Sequence, residues 1–64
     1  MKIDIKFSLN EVGLMIEAKK ENEWIGIDLI KLKQPCNAYS FCQEWLKNME
    51  SYGLGKIYYN NINQ

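Results

Sequence analysis

Residues 2–9 alternate strictly, with Ile3, Ile5, Phe7 and Leu9 on one face and Lys2, Asp4, Lys6 and Ser8 on the other. A period of two with one apolar face predicts a half-buried β-strand. Asn10-Glu11-Val12-Gly13 reads as a four-residue turn, with Gly13 able to take a positive φ. Alternation resumes over residues 14–20, where Leu14, Ile16 and Ala18 face away from Met15, Glu17 and Lys19. After a polar stretch centred on Glu21-Asn22, residues 24–32 are rich in β-formers and predict a third strand.

A slip of one residue would turn every side chain to the wrong face, so the pattern also predicts register. Closing the first turn between Leu9 and Leu14 pairs Phe7 with Ile16 and Ile5 with Ala18. On the other face it sets Lys6 opposite Glu17, Asp4 opposite Lys19 and Lys2 opposite Glu21. Each opposite-charge rung contributes about a few tenths of a kcal/mol. An even-length second turn then places Ala18 opposite Ile25, Ile16 opposite Ile27 and Leu14 opposite Leu29, with Met15 facing Asp28. One apolar face runs across three antiparallel strands.

Pro35 ends the third strand, because it cannot donate to a ladder and biases Gln34 toward extended structure. From Asn37 the period changes. Ala38, Phe41, Cys42, Trp45, Leu46, Met49 and Tyr52 recur at spacings of three and four, the stripe of an amphipathic helix. Asn37 is a candidate N-cap, and Ser40-Phe41-Cys42-Gln43 has capping-box form and offers a later start. Gly53 reads as the left-handed residue after the helix, with Leu54 packing back onto Met49. Gly55 frees the chain to turn, Lys56–Tyr59 makes a short last strand, and residues 60–64 form a frayed polar tail. The whole is a single small α+β domain over residues 1–64, ordered β-β-β-α-β. It comprises an antiparallel three-stranded meander, a fourth strand added parallel at one edge, and one helix packed on one face. Either edge of the meander can take the fourth strand.

Composition narrows the function. A hydrophobic fraction of 47% supplies a core. A domain this small nevertheless buries only about 60% of its unfolded surface, so its stability is thin. Such domains lean on a disulfide, a metal, a partner or a second copy. Eight lysines balance eight acids, which argues against a general nucleic-acid binder. There is no histidine and no arginine, so the commonest general base, metal ligand and phosphate fork are all missing. Cys36 and Cys42 fit no metal spacing, and Cys42 falls on the helical stripe as a buried free thiol. Residues 1–6 alternate charge, unlike a signal peptide, and no apolar run approaches the ~18 residues of a membrane span. The expected location is the cytoplasm, with no membrane contact. Ile, Lys, Asn and Tyr supply 27 of the 64 residues, while Thr is absent with Arg and His. That bias fits an AT-rich genome such as a low-GC bacterium or its phage.

Little remains to carry chemistry. Asp28 is the one mid-strand acid with no lysine opposite, and it reads as a solvated outer-face side chain. Cys36 or Cys42 as nucleophile would need an activating base, and none can be histidine. Gly53-Leu54-Gly55 follows a helix rather than opening one, so it is no phosphate loop. The chain is therefore expected not to be an enzyme and to need no cofactor, metal or small-molecule substrate. Weak nucleic-acid binding through Tyr58, Tyr59 and lysines is an alternative, although Lys2, Lys6 and Lys19 each face an acid across the sheet. The leading reading is protein binding, by an inhibitor or adaptor acting on a host complex or by a homodimer. In the register above, Met15, Trp24, Ile30 and Leu32 point away from the helix, and Val12 and Tyr58 can join them. Trp, Met and Tyr on a rigid sheet are residue types favoured at interface centres. Against this stands a bulge near Leu29-Ile30 that would turn Ile30 and Leu32 inward, with the Lys19 stem covering Trp24. A free edge strand offers a second route, by strand addition to a partner.

Overall fold

The computed structural model describes residues 2–33 and 37–63. Strands β1 (Ile3–Leu9), β2 (Leu14–Lys20) and β3 (Glu23–Ile30) are followed by helix α1 (Ala38–Met49), a 3-10 turn (Glu50–Tyr52) and strand β4 (Leu54–Asn60). The strands form one sheet in the order β3-β2-β1-β4. The first three make the antiparallel meander, and β4 lies beside β1, parallel to it. The β-β-β-α-β order read from the pattern is the observed one. The choice of edge has a physical reason. A parallel partner needs a long crossover, and only a crossover to the β1 side carries α1 over Ile5, Phe7, Leu14 and Ile16. These four, with Ala38 and Cys42 of the helix, are the buried apolar residues. Trp45 meets the Phe7 ring edge-on at 5.7 Å, and Tyr59 stacks on it at 5.7 Å.

Both hairpin turns are explained by their residues. Asn10 and Gly13 exchange backbone hydrogen bonds at 3.0 and 3.2 Å. The Asn10 side-chain oxygen also accepts from the amides of Val12 and Gly13. Gly13 has φ +149°, and a Cβ there would sit 2.5 Å from the Ile30 carbonyl oxygen. In the second turn Glu21 and Asn22 both have positive φ, 52° and 67°, the twist a two-residue hairpin needs. The β1–β2 register is the expected one from Leu9–Leu14 to Ile5–Ala18, and Lys6 and Glu17 form an ion pair at 3.7 Å.

Two bulges interrupt the regular pairing. In β3, Ala18 pairs with Ile25 and Glu17 with Gly26, but Ile16 then pairs with Asp28 and Leu14 with Ile30, leaving Ile27 as an extra residue. The expected pairs Ile16–Ile27 and Leu14–Leu29 do not form. Beyond the bulge every side chain changes face, so Leu29 stands beside Met15 while Ile30 and Leu32 pack against the core. In β4 an extra residue falls between Leu54 and Ile57, which pair with Ile3 and Ile5. There the Asp4 carboxylate accepts the Lys56 backbone N–H at 2.9 Å. Asp4 is thus committed to β4 rather than to Lys19. Lys6–Glu17 is the sole ion pair among the described residues, so the expected Asp4–Lys19 and Lys2–Glu21 rungs are not closed as ion pairs.

Helix α1 begins at Ala38 with Asn37 in the N-cap position, which places Ser40 inside the first turn. Helix α1 ends at Met49 with Glu50 in right-handed backbone, and the chain tightens into the 3-10 turn, which Gly53 closes with φ 75° and an N–H donated to the Glu50 carbonyl. The tail differs from expectation. Asn60 is the last residue of β4, and Ile62 packs against the core instead of fraying, because its side chain reaches apolar neighbours just past the strand. The expectations for Gln34, Pro35 and Cys36 lie outside the described residues.

Candidate functional site

The outer face of the sheet holds the side chains expected to bind a partner, and the structure divides them. Ile30 and Leu32 leave this face at the β3 bulge, so their placement away from the helix is corrected. Trp24 stays on it, opposite Lys19, but is half-buried. The Lys6 ammonium lies 4.7 Å from its ring centroid and that of Lys19 5.9 Å. Tyr58 meets the ring edge-on at 5.6 Å. Cations over an indole face each stabilise by about 0.5–1 kcal/mol at exposed sites. Trp24 therefore has a structural job in tying β3 across to β1 and β4. Met15 is half-buried and Tyr58 exposed. What remains apolar and open on the outer side is the end of the sheet where Met15 stands opposite exposed Leu29.

The groups weighed for chemistry are committed elsewhere. Cys42 is fully buried and free. Burial pushes its thiol up from 9.0 to about 11, against a smaller lowering by a backbone hydrogen bond. A thiol held protonated well above neutral pH is a packing residue, not a nucleophile. The Asp28 carboxylate accepts the Leu29 N–H at 2.8 Å. Tyr59 packs in the core instead of offering a stacking surface. Its ring lies 5.4 Å from that of Tyr39, and its hydroxyl accepts from the Gln43 side-chain amide at 2.8 Å. Burial raises its pKa first, nearby Tyr39 and Cys42 add to this, and the Gln43 hydrogen bond opposes it. Among the described residues there is no group of three or more His, Cys, Asp or Glu able to hold a metal ion, and no helix is long and apolar enough to cross a membrane.

Three exposed apolar side chains lie on β3. A helix with its side chains is about 10 Å across, while four strands span about 19 Å. One helix cannot roof the whole sheet, and α1 sits over β1, β2 and β4. Ile25 and Ile27 are left 44% and 49% exposed on the helix side of the outermost strand, and Leu29, turned to the outer face by the bulge, is 42% exposed. Between this strand and the helix runs a groove of about 310 Å³, floored by Ile3, Ile5 and Ala18 and walled by Ile27, Trp45 and Met49. Tyr52, largely exposed, and Leu54 close its end. Sequence pattern placed Ile25, Ile27 and Leu29 under the helix; the first two keep that face but the helix leaves them open, and Leu29 is turned to the outer face. One signal was present: a glycine inside a strand, here Gly26, often marks a bulge. Comparison with family models, curated proteins and solved structures finds no match for this chain.

Proposed function

We propose that this chain is a small non-enzymatic protein-binding module, of the inhibitor or adaptor kind, whose contact surface is the β3 edge and the groove beside it. The observation that carries the reading is the pair of exposed Ile25 and Ile27 on the groove side of the edge strand β3, with exposed Leu29 on its outer face. An unpaired strand presents backbone donors and acceptors to a partner strand, and alternate side chains give specificity. Apolar side chains exposed together mark contact sites more often than scattered ones do. The neutral charge balance and the absence of histidine and arginine fit the same reading. In this proposal the partner belongs to the cytoplasm of a bacterial host, the setting the AT-rich composition suits, and the chain acts there by occupying a surface rather than by chemistry. Met15 and Val12 border the contact, while Trp24 and Tyr58 support it from behind.

The test is affinity capture from a bacterial lysate with the wild type and with Ile27→Lys. The wild type should retain a defined protein that Ile27→Lys loses, while Met15→Glu weakens retention less. Equal retention by Ile27→Lys would move the contact off β3. The nucleic-acid alternative loses the Tyr59 ring to the core and two lysines to Trp24, so no second reading is carried.

A further inference from the structure

We infer that the bulge in β3, with Asp28 beside it, is a built-in guard that keeps this apolar edge from pairing with copies of itself. The guard acts whatever the partner is.

An edge strand offers a row of free backbone groups on which another extended chain can pair. The hazard is greatest where a run of β-formers carries little charge. Residues 25–30, Ile-Gly-Ile-Asp-Leu-Ile, are such a run, and Asp28 is its only charge. They lie on the outermost strand of the sheet. Were β3 regular, two copies could join there along its whole length.

The structure interrupts that edge twice. Ile27 is an extra residue between the pairs Glu17–Gly26 and Ile16–Asp28. Glu23 and Ile25 therefore face the helix side, whereas Leu29 faces the outer side beside Met15. Directly opposed residues of two paired strands share a face. A strand added from a second copy thus matches one half of the edge and meets the other half on the wrong face. Asp28 supplies the second interruption. It stands opposite Ile16, and its carboxylate accepts the exposed Leu29 N–H at 2.8 Å, which takes that donor from any strand adding there. Copies stacked in register would also set Asp28 against Asp28 about 4.8 Å apart, and like charges directly opposite destabilise.

The other edge is built the same way. Strand β4 carries an extra residue between Leu54 and Ile57, and there the Asp4 carboxylate accepts the exposed Lys56 N–H. The interior pair β1–β2 runs without a shift from Ile5–Ala18 to Leu9–Leu14. Broken register thus falls on the two strands whose outer edges are open, where it blunts pairing. The groove side of β3 stays open to a partner's side chains, and the regular stretch Glu23–Gly26 to a partner strand.

The experiment is sedimentation of the purified chain and its variants from micromolar to millimolar concentration, with circular dichroism to show that each is folded. Wild type should keep the single-chain mass of 7.6 kDa throughout. Deletion of Ile27 leaves the pairs from Ile16–Asp28 onward in place and makes the edge regular, while Asp28→Val removes the charge and the acceptor. Each should associate at least about tenfold below the highest concentration at which wild type is single, and the two together lower still. Ser8→Val adds apolar bulk to the outer face of interior strand β1 and should stay single. If the deletion variant unfolds, Asp28→Val decides alone. Association of wild type that Ile27→Lys abolishes overturns the guard. So do folded Asp28→Val and deletion variants that remain single at millimolar concentration, or a Ser8→Val chain that associates as strongly as they do. None of these outcomes touches capture of a host protein by wild type, so the contact reading stands or falls on its own test.

Discussion

At the β4 edge, Leu54, Ile57 and Tyr59 lie half-buried and pack against the core, and Tyr59 is fixed by Phe7, Tyr39 and Gln43. At the β3 edge, Ile25, Ile27 and Leu29 are comparable in size and hydrophobicity, yet they remain 44%, 49% and 42% exposed. Both strands carry a bulge, so irregular backbone does not distinguish them. The difference for Ile25 and Ile27 is the position of α1, which packs over the core of β1, β2 and β4 and leaves this face of β3 open, whereas Leu29 is open because the bulge turns it to the outer face. Residues on β4 are apolar because the monomer needs them. Those on β3 are only half covered inside one chain. Apolar side chains left open together are the ones that contact with something else would cover.

Substitutions at the two sites should separate by several kcal/mol. Phe7→Ala removes the ring on which Trp45 and Tyr59 pack and should cost about 3–5 kcal/mol, enough to unfold a domain of this size. Ile27→Ala should stay within about 0.5 kcal/mol, as surface substitutions do. Urea titration of both variants measures the gap. Alkaline pH probes the closed side again. The folded-state pKa of Cys42, about 11, lies above the unfolded value of 9.0. The unfolded chain therefore gives up its proton first. Stability is fully present below pH 9 and falls as pH rises to about 11, by about 2 kcal/mol. Cys42→Ala, though less stable at neutral pH, should lack this component when the two are compared across the range.

The glycines of the two bulges offer a sharper contrast. A Cβ on Gly55 meets the Asp4 carboxylate oxygen, whereas one on Gly26 meets nothing within 4 Å. Gly55→Ala should cost about 1–3 kcal/mol by overpacking, and Gly26→Ala less than about 0.5 kcal/mol. Thermal melts of the pair suffice. The smallest effect is a gain. Glu21 and Asn22 occupy left-handed backbone that favours Asn-Gly, so the replacement Glu21→Asn/Asn22→Gly should stabilise by about 0.5–1 kcal/mol. It does so from the β3 side without touching the exposed isoleucines.

Much of this architecture was legible in the residues. Strict alternation over 2–9 and 14–20 defined β1, β2 and their register, because a buried face tolerates no slip. The change of period after Asn37 and the glycine at 53 defined the helix and its end. What escaped was the point where alternation breaks without any change in composition. Ile25 through Ile30 remain β-formers in either register, and nothing in Ile-Gly-Ile states which isoleucine is the extra one. The consequence was large for the site. Ile30 and Leu32, expected outside, turned in, and Leu29, expected beneath the helix, turned out, while Ile25 and Ile27 kept the expected face and are left open because the helix does not reach them. Asp4 escaped for a related reason: its partner is the backbone amide of Lys56, fifty-two positions away in sequence, which a cross-strand charge pattern does not reveal. Lys6 and Glu17 were paired correctly because both sit in the unbroken part of the sheet.

The most direct measurement is urea denaturation of Ile25→Thr/Ile27→Thr at low micromolar concentration, where the monomer is read by itself. Threonine keeps the β-propensity and removes the apolar end of each side chain. If these residues serve contact rather than folding, monomer stability should remain within about 0.5 kcal/mol of wild type. Capture of a partner should be lost together with the isoleucines. A stability loss of about 2 kcal/mol or more, the range of a buried large-to-small substitution, would contradict this. It would mean that Ile25 and Ile27 belong to the core and that β3 is no open edge.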